Sequence, residues 1–442
     1  MYHNFIKNII YPLSDKFMGL AINKNLKKNR SLQYFSYKEL YTLQNKKLHN
    51  ILSHCKDNVP YYKDIFNESN FDLKGDLFQE IKQIPILTKK IIKENFPHNI
   101  IDRKRNIYTT EKTSGSSGEQ GEFLLDREAF SKIIAAQTLY WEWAGYSFGK
   151  KAIQTGINPE RGLKKYIKDK LLLIKYADAF RIDLKTVEKN LIPFRNKKEV
   201  FFIGYPSSIF SYAKFAKELG INDLSFKAII SLGDKMFPHY RSTIENTFNT
   251  KIFDTYGGAE GLMIAGECSE HKYHILSSHV YVEILDTNGN KVPDGELGEV
   301  VVTGLDNFLM PLIRYKIGDL AIKSKKISKC KCGRSLPIIE KIIGRDTDIL
   351  YTPKFKILVV HFFTGIFEHF PEIKQFQAEQ LEKGGKIRIN YMKGTNFSEI
   401  ILEDIRNKIY ARAKEKFPLE FRNVSEIIPS PSGKPQIILR AY

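Results

Sequence analysis

The sequence lacks both long apolar runs and a cysteine framework. No run of about 18 apolar residues, the length that a membrane-spanning helix needs, occurs in it. The N-terminal stretch Phe5–Ile10 mixes lysine and asparagine with its apolar residues and soon meets Pro12, which is unlike a signal-peptide core. The four cysteines have no disulfide-framework spacing. We therefore expect a cytoplasmic protein with reduced thiols that does not span a membrane.

Two common nucleotide-binding signatures are also missing. The sequence contains neither G-x-x-x-x-G-K-[ST] nor a G-x-G-x-x-G that joins a strand to a helix, which excludes an ordinary P-loop or dinucleotide fold. In their place, the nine residues Thr113–Gly121 contain three glycines and four hydroxyl side chains. Such a backbone can turn several N–H groups into one anion-binding concavity, typically for phosphate. A flexible connecting loop is the alternative interpretation of this composition.

Length and charge limit the class of protein. With 442 residues, the chain exceeds the usual size of a single core, so two or more domains are expected. The formal net charge of +19 comes largely from lysines spread along the chain. This distribution favours a solvated basic surface over nucleic-acid binding. The densest basic stretch, 161–175, reads as a helix with a basic face that could contact an acidic membrane surface or a carrier protein.

Hydrophobic patterning predicts an α/β fold. Residues 36–101 read as helical, and short apolar runs then alternate with helical stretches, which indicates a mostly parallel sheet covered by helices. The predicted strands are Lys151–Thr155, Val200–Ile203, Phe226–Ser231 and Lys251–Asp254, and the helices are Arg127–Trp143, Ser207–Leu219 and His239–Asn246. Beyond residue 275 the pattern becomes all-β, with a hairpin signal at Asn288-Gly289. The last hundred or so residues fit a small α+β domain.

Five short motifs occur along the chain in a fixed order, and their combination is far more specific than any one of them. They are Thr113–Gly118, Asp254–Glu260, Arg314–Asp319, Gly344–Asp348 and Pro431–Pro435. With these motifs the chain resembles the adenylate-forming superfamily of acyl-CoA ligases. Within it, the chain is most similar to the phenylacetate–CoA ligase family, which includes relatives associated with capsular polysaccharide synthesis. Val59–Tyr62 and Ile84–Lys89 extend the resemblance, which covers residues 36–442.

The resemblance implies a two-domain organisation. A large domain, 1–343, would contain helix-covered sheets and a β-rich subdomain and would bind ATP and the acyl group. A small mobile α+β domain, 344–442, would rotate about Gly344–Asp348 between adenylation and thioester formation. Thr347 stands where an acidic residue is common in the family, and Glu122 and Phe123 replace the usual end of the Ser/Gly loop. Adenylation is therefore better supported than the second step.

The resemblance also implies chemical functions for individual residues. Attack of a carboxylate on the α-phosphate of ATP builds negative charge, so the site needs N–H donors, a metal and a cation. The loop Thr113, Ser114, Gly115, Ser116, Ser117 and Gly118 would supply donors, and Glu260 would hold Mg²⁺. The expected nucleotide-binding positions are Gly233 and Asp234 near adenine, Asp254, Tyr256 and Gly257 in the following motif, and Asp319 at the ribose hydroxyls.

Two basic residues complete the expected catalytic set. Lys434, between Gly433 and Pro435, corresponds to the superfamily's catalytic lysine. Its ammonium group would bind the attacking carboxylate and the α-phosphate together. Arg345 would contact the ribose or a phosphate.

A further group of cysteines and histidines predicts a possible metal site. Cys268-x₂-His271, together with Cys330-x-Cys332, borders the nucleotide motifs, and His274 lies nearby. These residues could converge on a tetrahedral Zn²⁺. Unpaired buried thiols are the alternative, because the spacing is not that of a regular zinc-finger knuckle.

We therefore expect an ATP- and Mg²⁺-dependent enzyme that converts a small carboxylic acid to an acyl-adenylate and then to a thioester of coenzyme A or a carrier pantetheine. The expected acyl pocket draws on Tyr205, Pro206, Ser207 and 228–233. Expected partners are an acyl carrier or a downstream acyltransferase, with at most peripheral membrane contact. Two alternatives stay open: an adenylyltransferase without a thioester step, and an inactive basic interaction protein of the same fold.

Overall fold

The computed structural model describes residues 2–69, 71–112, 121–156, 162–179, 182–258, 260–325, 329–345, 349–367, 369–427 and 436–442. The described residues form two compact units. The larger comprises those of 2–112, 121–317 and 321–341, and the smaller comprises those of 318–320 and 342–442. Within the described residues, none of the helices has both the length and the apolar character needed to cross a membrane.

The first hundred residues are helical, as the sequence predicts for 36–101. The helices are α1 (Tyr2–Phe5), a π-helical turn (Ile6–Ile10), α2 (Tyr11–Phe17), α3 (Ile22–Leu32), α4 (Tyr37–Asn58), α5 (Pro60–Glu68), α6 (Leu77–Glu80) and α7 (Lys89–Asn95). Several begin at capping residues: Ser36 and Glu39 form a reciprocal capping box at α4, and Thr88 caps α7.

Strands and helices then alternate. The elements are β1 (Thr109–Lys112), β2 (Glu122–Leu125), α8 (Arg127–Trp143), β3 (Lys151–Gly156), α9 (Leu163–Leu171), β4 (Ile174–Asp178), α10 (Leu184–Leu191), β5 (Val200–Gly204), α11 (Pro206–Glu218), β6 (Ala228–Leu232), α12 (Pro238–Phe248) and β7 (Ile252–Gly258). The predicted helix Arg127–Trp143 is confirmed at both ends. The basic stretch is helical only from Leu163 to Leu171, because Ile174 starts β4 and pairs with Ala152 of β3.

Antiparallel strands follow and extend the same sheet. They are β8 (Leu262–Glu267), β9 (Tyr273–Ile275), β10 (Val280–Leu285), β11 (Leu297–Gly304), β12 (Tyr315–Lys323) and β13 (Ile338–Arg345). The sheet has 11 strands in the order β10-β11-β12-β13-β9-β8-β7-β6-β5-β3-β4. β4, β3, β5, β6 and β7 are parallel, whereas β7, β8 and β9 pair antiparallel. The β-rich part is therefore continuous with the parallel part, and the α/β fold class is confirmed.

Both faces of the parallel strands are buried. Neighbouring residues along each strand point to opposite faces, so each strand contributes residues to the core on both sides. Phe202 and Ile229 pack on one side with residues of α10, α11 and α12. Phe201 and Ile230 pack on the other side with Trp141 of α8. The predicted hairpin at Asn288-Gly289 is present, with Gly289 at φ +81°. However, regular β10–β11 pairing begins only at Leu285 and Glu299, so the connection is longer than a tight two-residue turn.

The smaller unit contains β14 (Ile349–Tyr351), β15 (Ile357–Val359), α13 (Val360–Phe367), β16 (Ile373–Gln380), β17 (Ile387–Lys393), α14 (Ile400–Ala413), β18 (Leu419–Asn423) and β19 (Ile438–Arg440). Four of its strands form a sheet in the order β18-β17-β16-β19. β16 and β17 are antiparallel, and the two outer strands join them in parallel. The α+β texture expected for the tail is present.

Candidate active site

The carboxyl ends of β3, β5, β6 and β7 meet at one edge of the sheet, because these strands are parallel. Ligands of open α/β sheets bind at such edges. Tyr205 follows β5 directly, and Gly233 follows β6. Gly233 has φ +72°, and a Cβ there would lie 2.9 Å from Cε1 of Tyr205. The tyrosine ring therefore packs directly over the glycine backbone, so the position requires glycine for both space and conformation.

The motif Asp254–Gly258 continues this edge along β7, where Tyr256 is half-buried. Gly257 lies at a register shift between β7 and β8. A Cβ on Gly257 would come within 2.5 Å of the carbonyl oxygen of Leu262. The structure thus explains Gly257 by the close approach of two strands. Asp234, after β6, accepts a hydrogen bond from the backbone N–H of Lys235 at 2.8 Å.

Asp254 lies beneath the edge and is only 6% exposed. The hydroxyl of Ser231 donates to its Oδ1 at 2.5 Å, and the hydroxyl of Tyr273 donates to its Oδ2 at 2.7 Å. Burial, reinforced by the neighbouring carboxylate of Glu267, raises the pKa of Asp254 to about 7. Glu267 is itself held by the guanidinium of Arg241 at 2.7 Å. This network joins β6, β7 and β9, so Asp254 positions the edge from inside the protein.

Glu260 follows β7 and is only 7% exposed. Tyr315 donates its hydroxyl to Oε1 of Glu260 at 3.4 Å. A Cβ at Gly258 would lie 2.0 Å from Oε2 of Glu260. Gly261, with φ +77°, turns the chain against Leu125. The two glycines therefore let the chain fold back so that a carboxylate is held in a small buried space. A carboxylate is the ligand type that Mg²⁺ prefers.

A small pocket opens beside Glu260. Apolar side chains of α8, β8 and the loop before β12 form its walls, and polar groups lie at its base. It is lined by Ala129, Ile133, Glu260, Gly261, Leu262, His279, Gly304, Asp306, Asn307 and Leu312. Ala129 and Ile133 were not among the residues predicted from the sequence, although their four-residue spacing on the helix after the Ser/Gly loop places them on one face. The acyl pocket expected at Tyr205, Pro206, Ser207 and 228–233 stays a prediction.

Asp306 forms the centre of a buried ion cluster at this pocket. Nζ of Lys47 lies 2.5 Å from its Oδ1, Nδ1 of His279 donates to its Oδ2 at 2.8 Å, and Nζ of Lys132 lies 3.3 Å away. Burial opposes ionisation of Asp306, but Lys47 and His279 outweigh it and hold the pKa of this carboxyl well below its usual range. The cluster joins α4, α8 and the end of β11. No local motif marks it, because its members are far apart in sequence.

Asp319 and Arg345 belong to the smaller unit. Nε of Arg345 lies 3.2 Å from Oδ1 of Asp319, and the Arg345 side chain is 41% exposed. The pair brings together two residues that the sequence analysis assigned to the nucleotide. Thr113, Ser114, Gly115, Ser116, Ser117, Gly118 and Lys434 lie outside the described residues, and so do Asp346, Thr347 and Asp348 of the expected hinge.

Cys268, His274, Cys330 and Cys332 converge in the larger unit. Each offers one ligand atom, and these atoms all lie within 4.8 Å of one another. Cys268 sits in a turn where the N–H of His271 donates to its carbonyl at 2.9 Å. Cys330 sits in a similar turn, where Gly333 donates at 2.8 Å. The ladder between β9 and β13, with His274 opposite Ile338, brings the two turns together. Three thiol groups and one imidazole form a donor set typical of structural Zn²⁺.

His274 is oriented to bind a metal, whereas His271 contacts a carboxylate. Nδ1 of His274 donates to the carbonyl of Leu336 at 3.1 Å, which leaves the lone pair of Nε2 directed at the cluster, 3.4 Å from Sγ of Cys332. His271 contacts Glu267 at 3.0 Å through Nδ1 instead. His271 and His274 were both predicted as candidate zinc ligands, and the structure places His274 in the cluster.

Comparison with known proteins agrees with this architecture. The chain is 26% identical to protein CapK of Staphylococcus aureus over 409 residues, covering 90% of this chain and 88% of that protein. It is 22% identical to the phenylacetate-coenzyme A ligase of Thermus thermophilus over 341 residues, covering 72% and 73% of the two chains. No protein-family model matches the sequence.

Solved structures share the fold. A 2-hydroxyisobutyryl-CoA ligase in its postadenylation state, in complex with R3-HIB-AMP, superposes with a TM-score of 0.73 at 16% identity, covering 92% of this chain and 90% of that one. The same ligase in its thioesterification state, with 2-HIB-AMP and CoA, gives a TM-score of 0.58. Together with the ordered motifs, these likenesses show that the chain has the fold of adenylate-forming ligases and is similar to the phenylacetate–CoA ligase-like family.

Proposed function

We propose that this protein is an AMP-forming acid–thiol ligase that activates a small carboxylic acid with ATP and transfers the acyl group to the thiol of coenzyme A or a carrier pantetheine. The observation that carries the proposal is the buried carboxylate of Glu260, fixed between two glycines beside an apolar pocket. Relatives named phenylacetate-coenzyme A ligase support the reaction class. Participation in surface polysaccharide synthesis, and an acyl carrier or acyltransferase as partner, are further parts of the proposal.

The chain's own groups divide the work of adenylation. Glu260 would hold Mg²⁺, which neutralises charge on the phosphate oxygens of ATP. The strand-edge residues Tyr205, Gly233 and Tyr256 would bind the adenine ring. The carboxylate of Asp319 would accept hydrogen bonds from the ribose hydroxyls. The loop 113–118 would contribute backbone N–H donors, and Lys434 would bind the attacking carboxylate. ATP and coenzyme A are cytoplasmic substrates, which supports a cytoplasmic location.

The pocket beside Glu260 is the proposed site of the acid. Its walls at Ala129, Ile133 and Leu312 are apolar, but its free volume of about 10 Å³ holds roughly one water molecule, so an acid with an apolar side chain would have to widen it. Gly304 leaves space here, because a Cβ there would lie 3.2 Å from Cδ2 of Leu262. We propose that the acid is selected by its volume.

The decisive experiment screens carboxylic acids for pyrophosphate release and AMP formation, with and without coenzyme A. A ligase releases pyrophosphate in response to an acid and turns over fully only with a thiol. The adenylyltransferase alternative predicts turnover that does not depend on a thiol. The interaction-protein alternative predicts no pyrophosphate release. In Glu260→Gln we expect a loss of about a hundredfold in pyrophosphate release, as is typical when one electrostatic group is removed from such a site.

We also propose that Cys268, His274, Cys330 and Cys332 bind one structural Zn²⁺. Protein purified without chelator should carry about one equivalent of zinc, and Cys332→Ala should lose it and melt at a lower temperature. Cys55→Ala is the matched control, because Cys55 is a buried free cysteine outside the cluster. The control should keep its zinc. Metal-free protein that takes up no zinc on addition would dismiss the site, whatever its activity.

A further inference from the structure

A row of large apolar side chains faces solvent on the N-terminal helical segment Tyr2–Phe17. Phe5, Ile9, Leu13 and Phe17 are 46%, 47%, 60% and 94% exposed. Residues four apart return to nearly the same side of a helix, so these four form one stripe. Single exposed apolar residues are ordinary, but a contiguous stripe marks a surface that binds something.

The opposite side of the same segment is packed on the protein. Ile6 is 1% exposed and contacts the backbone at Gly149. The ring of Tyr11 stacks on Phe148 with 4.2 Å between centroids, and Nδ1 of His3 donates to the carbonyl of Phe148 at 3.1 Å. The segment is therefore fixed in place with its apolar stripe outward, and the exposure of that stripe follows from packing.

Helix α9 adds a second stripe beside the first. Leu163, Tyr166, Ile167 and Leu171 are 74%, 49%, 49% and 49% exposed, and their spacing again selects one side of a helix. The hydroxyl of Tyr2 donates to the carbonyl oxygen of Leu171 at 2.7 Å, which places the two segments next to each other. We call the two stripes, together with the exposed lysines Lys16, Lys165, Lys168 and Lys170 of the same segments, the apolar–basic face.

The exposed charge on the two segments has one sign. Lys16, Lys165, Lys168 and Lys170 are exposed. The acidic residues of the two segments, Asp15 and Asp169, are each only 5% exposed. Asp15 accepts the backbone N–H groups of Ile22 and Asn23 at 3.0 and 2.9 Å, so it is engaged inside the protein. Among the described residues of the two segments, the charged side chains that reach solvent are therefore all lysines.

We propose that the apolar–basic face binds the surface of an anionic lipid bilayer. Apolar side chains flanked by lysines are the arrangement that lies in a membrane interface, with the rings and aliphatic groups among the acyl chains and the ammonium groups at the head groups. The side chains project from two convex helices, which suits a deformable lipid surface. The active-site edge and its pocket draw on other residues, so a lipid surface on this face leaves them in place.

The test measures partition of the whole protein onto large unilamellar vesicles by co-sedimentation. We expect binding to vesicles of equal parts phosphatidylcholine and phosphatidylglycerol, weakening with salt, and little binding to phosphatidylcholine alone. Lys165→Glu/Lys168→Glu/Lys170→Glu should lower the partition coefficient by about a hundredfold, since one lysine near an anionic surface contributes about fivefold. Phe5→Ser/Leu13→Ser/Phe17→Ser should lower it at least about tenfold.

Matched controls change equally exposed residues elsewhere. Lys74→Glu/Lys90→Glu/Lys416→Glu removes the same charge, and Leu381→Ser/Ile400→Ser removes exposed apolar side chains from the smaller unit. Both controls should bind as the unaltered protein does, and circular dichroism checks that every variant is folded. Failure to bind anionic vesicles at low salt overturns the proposal, as does equal loss in variants and controls. Binding to an acidic acyl carrier protein without binding to vesicles would assign the face to a protein partner. That result would also overturn the proposal.

Discussion

At the scale of single residues, the same motif contains groups with quite different functions. Glu260 lines a pocket, whereas Asp254, six positions earlier, is enclosed by Ser231 and Tyr273. The difference arises from the strand itself, because side chains alternate between the two faces and only the residues beyond its end are free to turn toward the edge.

The buried carboxyl of Asp254 should make stability depend on pH. Its folded pKa of about 7 lies above the unfolded value of about 3.9. Well below pH 4 the group is protonated in both states. Between about pH 4 and 7 the unfolded chain loses the proton first, so stability falls as the pH rises. The charged groups around it are Glu267 and Arg241, with Tyr273 donating.

Asp254→Asn removes that proton while keeping an acceptor for Ser231. We expect the free energy of unfolding of the unaltered protein to fall relative to the variant by roughly 2 kcal/mol between pH 5 and pH 7. Urea unfolding of both proteins at each pH measures the difference. If the difference in free energy of unfolding between the two proteins stayed constant from pH 5 to pH 7, Asp254 would already be ionised at pH 5.

At the scale of elements, the motif Arg314–Asp319 also holds the helical N-terminal region in place. Arg314 is 4% exposed, pairs with Glu283 at 3.1 Å, and donates to the carbonyl oxygens of Lys82 and Ile84 at 3.0 and 2.9 Å. The backbone beside it bonds to Leu87 in both directions, at 2.9 Å each. The resemblance to known ligases pointed to nucleotide binding for this motif, but its first residue serves packing.

Replacing Arg314 by methionine should therefore cost about 3–5 kcal/mol of stability, because Glu283 is left buried without a partner. The double variant Arg314→Met/Glu283→Leu should recover much of that loss, since both charges are then removed. Thermal and urea unfolding give the two values. A double variant no more stable than the single one would show that the bonds to the carbonyl oxygens, and not the ion pair, matter most.

At the scale of the whole molecule, the chain divides its expected catalytic groups between two units. Glu260 and the strand edge belong to the larger unit, and Asp319 and Arg345 to the smaller. Lys434, near the C-terminus, is assigned from the Ser-Gly-Lys context alone. That both units take part in adenylation is a proposal that mutation can test.

We expect Lys434→Ala to lower acid-dependent pyrophosphate release by at least about a hundredfold, since it removes the charge that offsets repulsion between two anions. The Ser-Gly-Lys context predicts an exposed turn, so stability should change by less than about 0.5 kcal/mol. Lys416→Ala, at an exposed lysine of the smaller unit, is the control and should keep its activity. Unchanged pyrophosphate release in Lys434→Ala would remove this lysine from the mechanism.

The sequence by itself determined the fold class and the elements whose patterns are local. Apolar periodicity predicted α8 to the residue, and the ordered motifs indicated the family, because turns and strand ends need particular residues at particular places. Tertiary structure decided what depends on contacts between distant segments. It placed Asp254 in the interior and His274 rather than His271 among the cysteines, and it gathered Lys47, Lys132 and His279 around Asp306. Those outcomes depend on which strands pair and which helices cover them, and local sequence does not encode that pairing.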